Sequence, residues 1–238
     1  MRRFYAETSA FSGDTVQLDE SESHHLHCVL RLRAGDEAKV FDGIGNEFVA
    51  RVLSSEKKRS VLKTISSVEP AAKESPLKIT LAAALMKSEK TDICVQKAVE
   101  LGVRDFVPII SLRTEKLPHN IEKQMSRWRR IAIDATKQCG RAVLMSISTP
   151  KTLSGLFDEI SGEGLFFTER SGRGLPDEVN GSVTVIVGPE GGWDDSEIKL
   201  AEASANIHLV SLGERILRAE TAVIAATAVV QYKYGDLS

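Results

Sequence analysis

From Pro76 onward, short apolar runs alternate with longer stretches of helical period. Strand-like runs stand at 79–85, 106–110, 143–148, 165–168, 183–187 and 207–211. Between them the pattern predicts helices at 90–101, 121–138, 153–160, 195–204 and 219–233, with Gly102 and Gly140 as stops after the first two. Such alternation buries the strands as a parallel sheet covered by helices, so residues 76–238 read as an α/β domain.

Residues 1–70 have another texture. Runs at 37–41 and 47–53 flank Asp42-Gly43-Ile44-Gly45-Asn46, a hairpin signal, and further strands are expected at 14–18, 51–54 and 61–68. One short helix, 22–30, interrupts them. This pattern predicts a small β-barrel. The stretch Glu69-Pro70-Ala71-Ala72-Lys73-Glu74-Ser75-Pro76 is a linker by composition, giving two domains, 1–70 and 76–238.

The net charge of −2 over 238 residues provides no global field for nucleic acid, so any such contact must come from local clusters. The first 70 residues hold ten Lys/Arg against eleven Asp/Glu, which allows a basic patch but not a basic domain. Cys28, Cys94 and Cys139 are odd in number and widely spaced, and read as reduced thiols of a cytoplasmic protein. Met1-Arg2-Arg3-Phe4 does not open a signal peptide, and the uncharged run 221–232 is too short to span a bilayer. His24, His25, His27 and Cys28 lack the second His/Cys pair that a structural zinc site needs, so no metal is expected.

Two late loops carry the chemistry. The run 182–187 leads into Gly188-Pro189-Glu190-Gly191-Gly192-Trp193, and Asp194 with Glu197 spells a capping box for the next helix. Strand, glycine loop, helix is the arrangement at the ligand-binding edge of open α/β sheets. Pro189 has no N–H, Glu190 is negative and no lysine follows, so a neutral or cationic ligand suits the loop better than a phosphate. No GxGxxG follows any strand, which argues against a nucleotide-dependent enzyme of Rossmann type. The second loop, Ser211 to Ala222, places Glu214, Arg215, Arg218 and Glu220 at the mouth of a helix whose residues 222–230 carry no charge. A helix of that kind is buried, or half buried and half at a subunit interface.

Gly188-Pro189-Glu190-Gly191-Gly192, together with Leu212-Gly213-Glu214-Arg215-Ile216-Leu217-Arg218-Ala219-Glu220-Thr221-Ala222, resembles the bacterial ribosomal RNA small subunit methyltransferase E family, of the knotted SPOUT class. Two further segments agree: Arg127 through Arg141, and His24-His25-Leu26 with Leu30-Arg31-Leu32-Arg33-Ala34-Gly35-Asp36. Trp193, Asp194 and Ala219 depart from the commoner residues of that pattern.

The resemblance implies an N-terminal PUA-like β-barrel that binds RNA and a C-terminal SPOUT-type parallel sheet with a trefoil knot. It implies S-adenosyl-L-methionine as methyl donor, N3 of a specific uridine in 16S ribosomal RNA as acceptor, a homodimer, and no membrane or metal partner. By the family pattern the donor lies against Thr168, Val187, Gly188, Pro189, Glu190, Gly191, Gly192, Leu212, Gly213, Ile216 and Leu217. A sulfonium cation suits a loop with a carboxylate and no lysine. RNA contacts are expected at Arg2, Arg3, Arg31, Arg33 and Arg141, of which Arg31 and Arg33 lie in a family motif and Arg141 is expected near a donor site. The N3 imide carries a proton that must be removed, and negative charge then spreads to the flanking carbonyls. Arg218 is the candidate for stabilising that charge, and Glu190 and Glu220 are candidates for accepting the proton. The alternatives are a noncatalytic RNA-binding module, or a knotted methyltransferase acting on another base or on ribose.

Overall fold

The computed structural model describes residues 1–114, 120–169 and 172–237. The chain divides into two compact units, Met1–Glu74 with Thr136–Leu144, and Ser75–Ala135 with the chain from Met145 onward. The first unit therefore takes in a segment from far along the sequence, which the expected division at the linker leaves out.

The first unit is built on six strands: β1 (Arg3–Tyr5), β2 (Phe11–Ser12), β3 (Thr15–Gln17), β4 (Glu37–Phe41), β5 (Glu47–Ser54) and β6 (Val61–Val68). Their order in the sheet is β1-β4-β5-β6-β3-β2, with β1 parallel to β4 and the other neighbours antiparallel. Register shifts in the β5–β6 pair after Val49 and Val52 bend the long strands. The bend lets Phe4, Val16, Val40, Val52 and Leu62, from five different strands, meet in one buried core. Helix α1 (Glu20–His24) starts at Asp19, whose carboxylate accepts from the Glu22 N–H, and opens into a π turn over His25–Val29. Leu26, on that turn, is fully buried in the same core.

Arg3 organises the returning segment. Its Nε donates to Glu47 at 2.7 Å, and its Nη atoms donate to the carbonyls of Thr136, Lys137 and Arg141 at 2.9, 3.0 and 2.7 Å. Lys137 donates to Glu22 at 2.6 Å, and Glu22 also accepts from the Tyr5 N–H.

The second unit holds seven parallel strands, β7 (Lys78–Ala84), β8 (Asp105–Ile110), β9 (Ser146–Ile147), β10 (Lys151–Thr152), β11 (Glu163–Phe167), β12 (Ser182–Val187) and β13 (Ile207–Val210). Its helices are α2 (Ser88–Glu100), α3 (Ile121–Cys139, whose last turn belongs to the first unit), α4 (Leu153–Phe157), α5 (Asp195–Glu202) and α6 (Ala219–Tyr234). The sheet runs β10-β8-β7-β12-β11-β13, with β9 also on β8. The strand expected at 143–148 is cut to β9, and β10 takes up the same edge of β8 further on; Pro150, which has no N–H for a ladder, stands between them. After β11 the chain crosses the exit of β13, where Arg173 N–H donates to Leu209 O and Ser211 N–H to Arg173 O, both at 2.9 Å. Among the described residues no helix is long and apolar enough to cross a membrane.

Candidate active site

β12 ends at Val187 in mid-core, and the next five residues must turn the chain out to α5. Gly192 N–H donates to Pro189 O at 2.9 Å, and Gly192 sits at φ +70, where a side chain is strained. Gly188 is fixed by packing instead: a Cβ there would lie 2.8 Å from the Trp193 ring. Trp193 is buried, stacked on Phe166 at 4.5 Å between ring centres, and its indole N–H donates to Phe167 O at 2.9 Å. The polar edge that tryptophan adds over phenylalanine is thus satisfied. Gly191 has ordinary room for a Cβ beside Arg113, at 3.6 Å, so the protein's own packing does not demand glycine there.

The capping box forms as the spacing predicts. Asp194 accepts from Ser196 N–H, and Glu197 accepts from Asp194 N–H at 2.9 Å. Glu197 is buried, and its other oxygen accepts from Leu112 N–H at 3.0 Å, tying the loop to the exit of β8. Arg113 donates to Gly191 O at 3.1 Å and to Asp194 at 3.3 Å. The Ser196 hydroxyl and N–H, followed by Arg113, hold the Asp194 carboxyl below its ordinary value.

The second loop leaves β13 beside the first. Thr168 N–H donates to Val210 O at 2.9 Å, Gly213 sits at φ +102, and Arg218 is the N-cap of α6. Between the two loops lies a cleft of about 300 Å³. Thr168, Val187, Gly188, Pro189, Glu190, Gly191, Gly192, Leu212, Gly213, Ile216 and Leu217 all line it, joined by Glu169, Trp193 and Arg215. It opens at the carboxyl ends of β11, β12 and β13, the ligand edge of a parallel sheet. A second cavity of about 270 Å³, lined by Asp105, Ser146 and Ser182 among others, lies at the opposite ends of the strands.

Sequence reasoning missed Lys90, in the first turn of α2. Its ammonium contacts Glu190 and lies 3.2 Å from Glu220, pairing with both candidate proton acceptors. The contact with Glu190, then that with Glu220, raises the Lys90 pKa. Glu220 is held below the ordinary carboxylate value, first by its own backbone N–H at the start of α6 and further by Lys90 and Arg218. No local pattern marks Lys90, because its partners lie a hundred and more residues away. Arg218 is exposed beside Glu220 and outside the cleft lining.

The expected RNA contacts separate into two groups. Arg2, Arg31 and Arg33 are exposed. Arg31 is the one described non-glycine residue at positive φ, +54, in the turn that follows the π segment. Arg31 and Arg33 border a concavity with His27 and Ser55, whose side chains hydrogen-bond at 3.0 Å. Arg3 and Arg141 instead spend their guanidinium groups inside the first unit: Arg3 on Glu47 and three carbonyls, buried Arg141 on Glu74 at 2.6 and 3.0 Å. Among the described residues no three His, Cys, Asp or Glu side chains gather as metal ligands would.

Residues 73–231 match the RNA methyltransferase domain family and residues 18–65 the RNA methyltransferase PUA domain. A ribosomal RNA small subunit methyltransferase E of Synechocystis is 33% identical over 224 residues, 90% of this chain and 72% of the relative. That of Aquifex aeolicus is 33% identical over 234 residues, 97% of this chain and 99% of the relative. The crystal structure of the Neisseria gonorrhoeae enzyme of the same name, bound to S-adenosyl methionine, superposes with a TM-score of 0.90 at 34% identity, covering 100% of both chains. A Legionella pneumophila chain in complex with bound SAM gives 0.91 at 34% identity, covering 99% of this chain and 98% of that one. With a PUA-type first unit, a parallel sheet of this order and two late loops closing one cleft at its carboxyl edge, the chain belongs to the ribosomal RNA small subunit methyltransferase E family.

Proposed function

We propose that the protein methylates N3 of a uridine in 16S ribosomal RNA, taking the methyl group from S-adenosyl-L-methionine bound in the cleft between the two late loops. The observation that carries this reading is the convergence of all eleven expected donor residues on that one cleft. The lining fits the donor: the carboxylate of Glu169 suits a sulfonium, while that of Glu190 already meets the Lys90 ammonium, and the main chain of Leu212, Ile216 and Leu217, outside any strand or helix, can meet an adenine edge. When bound, the donor supplies an electrophilic methyl group. Holding the base in line with that methyl provides much of the rate. Arg218, with fixed donors and a permanent charge, stabilises the anion that spreads over the uracil carbonyls. Glu190, which lines the cleft, is the stronger candidate for the proton acceptor; Glu220 lies outside the lining.

RNA tracks over the first unit at Arg2, Arg31 and Arg33, whose side chains are exposed, and not at Arg3 or Arg141, which are already engaged. The reading includes a trefoil crossing of the chain where the segment after β11 meets the exit of β13, and a cytoplasmic setting with the RNA substrate. It also includes a homodimer across α6: Val223, Ala226, Thr227, Val230 and Gln231 are buried, while Ala222, Ile224, Ala225, Ala228 and Val229 leave an uncharged face in view. Mass spectrometry of nucleosides from small-subunit RNA tests the function. A deletion strain should lose one N3-methyluridine and regain it on complementation; an unchanged nucleoside profile refutes the assignment.

A further inference from the structure

Three chain segments distant in sequence bring their charges to one point. Lys90 comes from the first turn of α2, Glu190 from the glycine loop and Glu220 from the first turn of α6. The side chains are 27%, 24% and 19% exposed, so water screens them only in part. We propose that Lys90 is a positioning residue for the methyl transfer, an ammonium clasp that joins the glycine loop to the start of α6 and holds Glu190 at the cleft. This rests on the proposed function for its catalytic meaning, but the clasp itself is a property of the chain.

The physical reason lies in what the site would be without the lysine. Glu190 and Glu220 both contact one ammonium, so they are close neighbours. Two carboxylates in such proximity repel, and one of them takes up a proton or the two move apart. Either outcome alters the protonation or the placement of the proton acceptor on the glycine loop. Lys90 removes the repulsion and leaves the pair with one net negative charge. Two further groups face the cluster. Arg218 reaches Glu220 from the N-cap of α6. Cys94, on the next turn of α2, is buried, which pushes its thiol up to about 12 and leaves it neutral. A merely structural ion pair of this exposure contributes little to stability and would leave no mark on the titration of the chemical step.

Lys90→Met keeps the length and removes the charge, and Lys90→Arg keeps the charge. In the protein without donor, carbon NMR of the glutamate carboxyls should show a midpoint of the Glu190–Glu220 pair raised by about one pH unit in Lys90→Met and near the original in Lys90→Arg. In single-turnover methylation of small-subunit RNA, the acid limb of the rate profile should move to higher pH by a similar amount in Lys90→Met. It should return in Lys90→Arg and in the double variant Lys90→Met/Glu220→Gln, where the repulsion is gone. Unchanged carboxyl midpoints overturn the clasp whatever the activity, and an unmoved acid limb in active Lys90→Met overturns its part in catalysis. If Lys90→Met does not fold, the clasp is judged on Lys90→Gln by the same midpoints. Failure of the wild-type protein to methylate the RNA would instead refute the proposed function, and the NMR result would still decide the clasp.

Discussion

The two loops that wall the cleft are built on opposite principles. The glycine loop is braced at every turn. Trp193 locks it to β11, Glu197 and Arg113 tie it to the exit of β8, and the capping box fixes its departure into α5. The loop from Leu212 to Arg218 has little of this. Gly213, Glu214, Arg215, Ile216 and Arg218 are all exposed, Ile216 by 86%, and Ser211 with Gly213 makes its main internal hydrogen bonds. One wall is held by many contacts within the protein; the other is held by few. A site of this kind keeps geometry on the rigid side and adaptability on the open side, and local opening is cheapest where buried contacts are fewest.

The contrast can be broken from the rigid side first. Trp193→Ala removes a buried ring and its hydrogen bond, and thermal or urea unfolding should show a loss of about 3–5 kcal/mol. A loss well below that would mean the wall is not braced by Trp193. Next in size is Arg218, at the far end of the open loop. Arg218→Ala should slow single-turnover methylation roughly 100-fold or more while donor affinity stays within about threefold. Equal losses in binding and rate would make Arg218 a binding group only.

Ile216 sharpens the comparison from the open side. Ile216→Ser should leave stability within about 0.5 kcal/mol, since the side chain is already in water. Calorimetry should nevertheless find donor binding weaker by roughly tenfold if the donor covers it. Unchanged affinity would show that something other than the donor meets this side chain.

The smallest effect concerns pH. Because the folded-state pKa of Asp194 is lowered, its contribution is present above the unfolded aspartate value and is lost as pH falls through the folded one. Wild-type stability should therefore decline with acid below the ordinary aspartate value of 3.8, and Asp194→Asn, which keeps a capping oxygen, should decline less steeply there. Parallel acid-unfolding curves would show that the cap owes nothing to the charge.

Much of this architecture is legible in the chain. The alternation after Pro76, the hairpin around Gly43 and the Asp194–Glu197 capping box are local patterns, set by backbone preferences over a few residues. The two late loops were visible as special backbone, and their flanks placed them at strand-to-helix junctions. That they wall one cleft is implied by the family resemblance and by neither loop's local pattern, because strand order depends on contacts between β7, β11, β12 and β13 rather than on any one of them. The basic residues show the limit most plainly. Arg2 and Arg3 are indistinguishable in sequence, yet one is exposed and the other is spent on carbonyls more than 130 residues away. Arg31 and Arg141 differ in the same manner, one free at the surface and one buried on Glu74. Sequence by itself determined the longer elements, the turns and the chemistry available at the loops, since these follow from short-range sterics and hydrogen bonding; the short strands β1, β2 and β10 escaped it. Only the tertiary structure decided which charges remain for a substrate and which are consumed within the protein. An ion pair's partner is set by where distant segments pack, and Lys90 between Glu190 and Glu220 exists only once α2, the glycine loop and α6 have met.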